Sequence, residues 1–268
     1  MADLTRGLDA QGYLAREGSL ARVEDPFRPV VAAARDRLLD VFGARMTSAY
    51  LYGSVPRGTA RPGRSDLDLL LALRHEPTDA DRAEARVLDE SLDKEFTQID
   101  GAGTLLFSRA RLLSDLETYD LGWFVACLCT PLLGEDLAEY LPRYRPTSLL
   151  ARETNGDLAL LLPRWRERIA EAAPADLRGL QRGMARHLVR TGFTLVMPRW
   201  NGWTSDLGEM AEVFGGYHPR WAGAMRDAAD AAREPTGDLA ALRTYTEEIG
   251  PWLADAYARE HGVKAPRP

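Results

Sequence analysis

The segment YLYGSVPRGTARPGRSDLDLLLAL, Tyr50 to Leu73, constrains the fold more than any other part of the chain. Two runs of strand-forming residues, MTSAYLYG and SDLDLLLAL, flank a loop that carries three arginines. Both runs read as strands. Side chains alternate along a strand, so Asp66 and Asp68 point to one face about 6.5–7 Å apart while Leu67 points to the other. Two carboxylates held side by side repel one another unless a cation stands between them.

The flanking periodicities predict an α+β domain. Phe27, Val31, Ala34, Leu38 and Phe42 recur at helical spacing between Asp25-Pro26 and Gly43. A second helix is expected from Thr78 to Lys94, with Thr78 and Asp79 as cap candidates and Asp79-Ala80-Asp81 as a capping and dipole feature. EFTQIDGAG and TLLFS then read as two short strands around a Gly-rich turn, and helical spacing resumes at Ala110 to Glu117. The order helix, strand, strand, helix, strand, strand, helix implies a mixed sheet flanked by helices.

The composition shifts at YLPRYRPTS, Tyr140 to Ser148, which predicts domains over 1–145 and 146–268. Beyond it, Leu149 to Ala173, Leu177 to Val196, Ser205 to Phe214, Pro219 to Ala232 and Leu239 to Glu260 all carry helical spacing, a C-terminal helical bundle.

With 45% hydrophobic and 28% charged residues among 268, the composition is that of a soluble globular protein. MADLTRGLDA lacks an apolar signal region. Leu121 to Gly134, the longest uncharged apolar stretch, falls short of the roughly 18 residues of a membrane span and reads as core. No membrane role and a cytoplasmic location are therefore expected. Cys127 and Cys129, with no partner Cys or His nearby, read as buried thiols. The net charge of −6 argues against coating nucleic acid and suits a cationic small molecule.

The paired carboxylates are hard oxygen ligands of the kind that bind Mg²⁺ together with substrate phosphates. A third carboxylate is expected on a neighbouring strand. Asp100, at the end of EFTQID, is preferred to Glu95, which falls at the strand's beginning and on the opposite face by parity. Gly53 at a sharp turn lets backbone N–H groups approach a ligand, and the Ser54 hydroxyl adds a donor for a phosphate oxygen. Arg57, Arg61 and Arg64 lie in the loop between that turn and the carboxylates, where guanidinium groups can neutralise a triphosphate.

Gly53-Ser54, eleven residues, then Asp66-Leu67-Asp68 on an apolar strand resembles the signature of the DNA polymerase β-like nucleotidyltransferase superfamily. The likeness covers roughly residues 25–145 and includes PLLGEDL, Pro131 to Leu137. The helical half resembles, in architecture, the C-terminal domain of aminoglycoside nucleotidyltransferases. The resemblance implies two Mg²⁺ ions on Asp66 and Asp68, with Asp100 completing the site. It also implies that Gly53, Ser54, Ser65, Arg57 and Arg64 bind the nucleotide. The implied reaction is in-line attack of an acceptor hydroxyl on the α-phosphate of ATP or another nucleoside triphosphate, with pyrophosphate leaving and one of the arginines offsetting its charge.

In the antibiotic enzymes an acidic residue of the helical domain can act as general base. Glu153, Asp157, Asp206 and Glu209 are the candidates, and Glu209 is preferred because Thr204-Ser205-Asp206 looks like a helix start. Arg182 to His187 fits a loose R-x4-H ribonuclease pattern that an arginine-rich helix also produces by chance. Trp200, Trp203 and Trp221 are suited to stacking, though Trp is more often core.

Transfer of AMP to a small polar acceptor, such as an aminoglycoside, is the leading expectation. The alternatives are a toxin-type enzyme modifying tRNA or a protein hydroxyl, with Arg178, Arg182, Arg186 and Arg190 as its basic stripe, and a non-catalytic binding or antitoxin module.

Overall fold

A computed structural model describes residues 6–267. The chain divides into two compact units: Ala15–Arg143, and Tyr144 onward together with the described residues before Ala15. The first unit is built on a four-stranded mixed sheet in the order β3-β2-β1-β4. Here β1 is Met46–Tyr52, β2 Leu67–Leu73, β3 Ala102–Ser108 and β4 Thr130–Gly134. β1 runs antiparallel to both β2 and β4, whereas β2 and β3 are parallel.

The apolar run of β2 is buried on both faces. Leu67, Leu69, Leu71 and Leu73 join Ala49 and Leu51 of β1 beneath α1, Arg28–Phe42, and α3, Asp79–Glu95. Phe27, Val31, Ala34, Leu38 and Phe42 supply the α1 side of that core and Leu88 and Leu92 the α3 side, at the spacing read from the sequence. On the opposite face Leu70 and Ala72 pack with Tyr50, Leu112, Val125, Cys129 and Leu137. Burial drives the Cys127 thiol up to about 12 and Cys129 well above its ordinary value, so both stay protonated and unreactive.

The third strand differs from expectation. α3 runs on to Glu95, whose carboxylate pairs with Arg37 of α1, and Phe96 N–H closes the helix on Leu92 O. EFTQID therefore forms no strand: residues 96–101 are turn and loop, and Ala102–Ser108 is one strand that includes Gly103. Neither Gly101 nor Gly103 has positive φ, and Gly103 lies within the strand. Between β1 and β2 lies the short α2, Ser54–Arg57, and after β3 the short α4, Arg109–Leu112. The apolar stretch before β4 is wound as π-helix over Thr118–Gly122 and Phe124–Leu128.

The second unit is helical. The single helix expected over Leu149 to Ala173 is two, α5 (Ser148–Asn155) and α6 (Leu158–Glu171), parted at Gly156. A side chain at Gly156 would collide with Arg152 O and Lys264 N, so backbone crowding fixes the break. α7 is Leu177–Trp200, α8 Leu207–Tyr217 and α9 Ala222–Arg233. The last expected helix is divided into α10 (Leu239–Arg243), a π-helical turn over Thr244–Ile249, and α11 (Gly250–Glu260), where Pro251 lacks an N–H to donate. The segment before Ala15 is fastened here: Trp203 N–H donates to Arg6 O at 2.8 Å and Leu14 N–H to Tyr144 O at 2.8 Å. Trp200 and Trp203 pack edge-on against Phe193, and Trp221 lies against Trp252. None of the described helices is long and apolar enough to cross a membrane.

The start of α3 is closed by a capping box: Thr78 Oγ1 accepts from Asp81 N–H at 3.2 Å, and Asp81 Oδ2 accepts from Thr78 N–H at 2.9 Å. Asp81 is buried and bonded to Arg45 at 2.5 Å. Burial alone raises its carboxyl pKa, but the Thr78 hydrogen bonds and the Arg45 charge outweigh that and hold it below the ordinary range. A depressed folded-state pKa adds stability above the unfolded carboxyl value near ~3.9, and the gain is lost as pH falls through the folded value. Asp81→Asn is expected to cost about 1 kcal/mol at pH 7 in urea unfolding, and the gap from the parent should close on acidification below about pH 4.

Candidate functional site

β1 ends at Tyr52, and the chain turns sharply at Gly53, with φ 78° and ψ −151°, before α2 begins at Ser54. That backbone conformation is essentially restricted to glycine. Sterics reinforce the restriction, because a Cβ on Gly53 would lie inside 3.0 Å of Asp68 Oδ2, closer than real Cβ atoms come. Val55 and Pro56 bury the far side of α2, and Gly58, in the left-handed region at φ 71°, ends it.

The loop that returns to β2 is knitted by its own backbone. Ser65 Oγ accepts from Arg61 N–H at 2.9 Å, while Arg61 O receives both Arg64 N–H and Ser65 N–H at 3.1 Å. Gly63 N–H donates to Gln98 O at 2.8 Å, and Asp100 N–H to Ser65 O at 3.1 Å. These bonds deliver Asp66 to the mouth of β2. Asp66 is exposed and stands one residue before the strand, whereas Asp68 is half-buried within it.

In register, Asp68 lies between Tyr52 of β1 and Gly103 of β3. Asp66, Asp68, Leu70 and Ala72 share a face, and Leu67, Leu69, Leu71 and Leu73 point to the other. One corner of the sheet thus gathers Gly53, Ser54, Ser65, Asp66 and Asp68. Arg61 and Arg64 are exposed on the adjoining loop. Arg57 is half-buried, with Glu17 3.5 Å away, which ties α2 to the segment before α1.

Asp100 stands apart from the paired carboxylates in secondary structure. It is exposed and occupies a bend ahead of β3, outside the ladder that begins where Leu67 N–H donates to Gly101 O at 2.8 Å. Glu95 is engaged by Arg37 at the end of α3. Among the described residues no three His, Cys, Asp or Glu side chains are gathered to hold a metal ion. Asp66 and Asp68 on one face still fit a magnesium ion that takes its remaining ligands from phosphates and water, the usual manner for that ion.

The four acids considered as general base all lie in the helical unit, and each has a partner there. Glu209 accepts from Thr204 Oγ1 at 2.5 Å, and its N–H donates to Asp206 Oδ1 at 2.9 Å, so both close the start of α8. Glu153 is buried between Arg152 and Arg267, at 2.8 and 3.0 Å. Burial raises its carboxyl pKa, and the two arginines bring it below the ordinary range. Asp157 Oδ1 stands 3.3 Å from His187 Nε2. Burial pushes that carboxyl up, and the nearby His187 outweighs burial and brings it below the ordinary range.

His187 belongs to a cavity of about 260 Å³ between α6 and α7, walled by Trp165, Leu161 and Arg168 on one side and by Gly179, Gly183 and Met184 on the other. Its ring meets Trp165 edge-on at 5.7 Å. This cavity and the Asp157–His187 pair went unread in the sequence, because partners thirty residues apart on different helices leave no local pattern. Arg178, Arg182 and Arg186 are exposed on α7.

Residues 33–100 match the model of the nucleotidyltransferase domain, a span that includes Gly53, Ser54, Asp66 and Asp68. No curated protein matches the chain. Among solved structures the fold is similar to spectinomycin adenyltransferase AAD(9) from Enterococcus faecialis, determined with ATP and spectinomycin. The TM-score is 0.51 at 12% identity, over 85% of this chain and 98% of that one.

Gly53→Ala is expected to lose about 1–3 kcal/mol of stability, from the forced backbone and from the clash with Asp68. Chemical denaturation should show the loss. A substitution cost below a few tenths of a kcal/mol would mean that the turn relaxes freely.

Proposed function

We propose that this chain, a nucleotidyltransferase by the domain it carries, moves AMP from ATP to a hydroxyl of a small polar acceptor. The observation that carries the reading is the contact of Gly53 with Asp68. It joins a turn able to receive phosphate oxygens to a strand whose carboxylates face the same corner. Gly53 and Ser54 would hold the phosphates through backbone N–H and hydroxyl donors, with Ser65 and Arg64 beside them and Arg57 at the end of α2.

Asp66 and Asp68 would hold a divalent cation, which when bound offsets the charge of the reacting phosphates. The acceptor oxygen forms a bond to the α-phosphorus, the bond from that phosphorus to the bridging oxygen breaks, and pyrophosphate leaves with the electron pair. The hydroxyl proton goes to a base from the set that includes Asp100 and the acids of the helical unit, Glu209 among them.

The acceptor's place is proposed in the helical unit, at the cavity between α6 and α7. Trp165 offers a flat apolar wall to a ring, and His187 with Asp157 offers polar contacts. AAD(9), with its spectinomycin, is in keeping with an aminocyclitol or aminoglycoside as the acceptor class. A second reading, an RNA acceptor, has in its favour the exposed Arg178, Arg182 and Arg186.

The deciding experiment incubates the protein with α-labelled ATP, Mg²⁺ and, separately, a panel of aminoglycosides, total tRNA and no acceptor. Label should pass to a small molecule as pyrophosphate appears, and Asp66→Asn and Asp68→Asn should each lower the rate by about 10³-fold or more. Parent rates in both variants would sink the reading. Gly183→Leu should fill the cavity without harming α7, since it replaces a helix-interior glycine whose Cβ meets open space. KM for the acceptor should rise by about tenfold or more, with KM for ATP little changed.

A further inference from the structure

Glycine is demanded in a strand by positive φ or by crowding. Gly101 and Gly103, beside the paired carboxylates, meet neither demand. Neither has positive φ. A Cβ on Gly103 would meet nothing within 4 Å, and one on Gly101 would meet only Asp66 Oδ1, at 3.6 Å. A glycine inside a strand weakens it and often marks the close approach of a ligand. Parallel register sets Gly103 opposite Asp68, and the Leu67–Gly101 hydrogen bond sets Gly101 beside Asp66. The positions of β3 and its entry that adjoin the two carboxylates therefore carry no side chain. Asp100 lies one residue too early, in a bend whose backbone is taken by Ser65.

We infer that the protein's share of the cation site is two carboxylates and not three: Asp66 and Asp68 hold the ion, Asp100 is outside the set, and the gap at Gly101 and Gly103 is left to substrate. The inference rests on the nucleotidyl-transfer reading and corrects its ligand list.

Manganese(II) binding to the full chain, with a non-hydrolysable ATP analogue present, tests it by equilibrium titration and by thermal unfolding. Asp66→Asn and Asp68→Asn should each weaken Mn²⁺ binding by about tenfold or more, and Asp100→Asn should stay within about twofold of the parent. Gly101→Asp adds the missing carboxylate against Asp66. Without metal it should melt lower than Gly101→Asn through like-charge repulsion. It should bind Mn²⁺ about tenfold tighter than the parent and be restored by it in Tm.

Weakening by Asp100→Asn as large as that by Asp66→Asn would overturn the inference. So would a folded Gly101→Asp with parent affinity; where that variant does not fold, the Asp100→Asn arm decides alone. Parent affinity in both Asp66→Asn and Asp68→Asn would instead remove the cation reading on which the inference stands.

Discussion

The bare α-carbon of Gly53 against the Asp68 carboxylate is the contact on which the sheet corner depends. Tyr52 and Asp68 are the last paired residues of β1 and β2, so whatever stands at position 53 decides how closely the two strand ends approach. With no Cβ the chain turns into α2 beside the carboxylate. A half-buried carboxylate on an apolar strand carries a desolvation cost, and the open α-carbon of Gly53 is what lets the chain pass beside it.

Parity makes the arrangement unambiguous. β2 spends Leu67, Leu69, Leu71 and Leu73 on the core beneath α1 and α3. A one-residue slip would turn those leucines out and bury Asp66 and Asp68 among Phe27, Leu38 and Phe42. The apolar face therefore fixes the functional face, and the core is the device that aims the carboxylates. Tyr50 strengthens the register from the other side, accepting from Leu137 N–H at 2.7 Å and donating to Glu135 O at 3.3 Å beneath β4.

Much of this unit was legible because its signals are local. Alternation around Leu67, the leucine run, the Gly-Ser turn and the helical spacing of α1 each span only a few residues, and each matches what the fold does there. Thr78 and Asp79 were both readable as cap candidates, and Thr78 takes the cap with Asp81, three residues on, as its partner. EFTQIDGAG misled for a physical reason: Phe96, Ile99 and the glycines look like strand and turn, but α3 keeps its last turn through Glu95 because Arg37 holds that carboxylate. Gly103 then runs in a strand because β2 offers a parallel ladder. Tertiary pairing overrode local preference at both places. The attachment of the segment before Ala15 to the helical unit, and the pairs Asp157–His187 and Glu153–Arg267, depend on contacts across long stretches of sequence that no period encodes.

Glycines without a backbone reason recur in the helical unit. Gly179 and Gly183 lie inside α7, one turn apart, and a Cβ on either would meet open space. Each costs a helix interior about 1 kcal/mol relative to alanine. Stability alone favours filling such positions, and filling them here would close the cavity that Trp165 and His187 line. In β3 the same residue type, at Gly103, leaves open the space opposite Asp68. Two unrelated elements thus carry glycines that neither backbone conformation nor crowding demands, and each gives up local stability where volume stays free next to polar side chains.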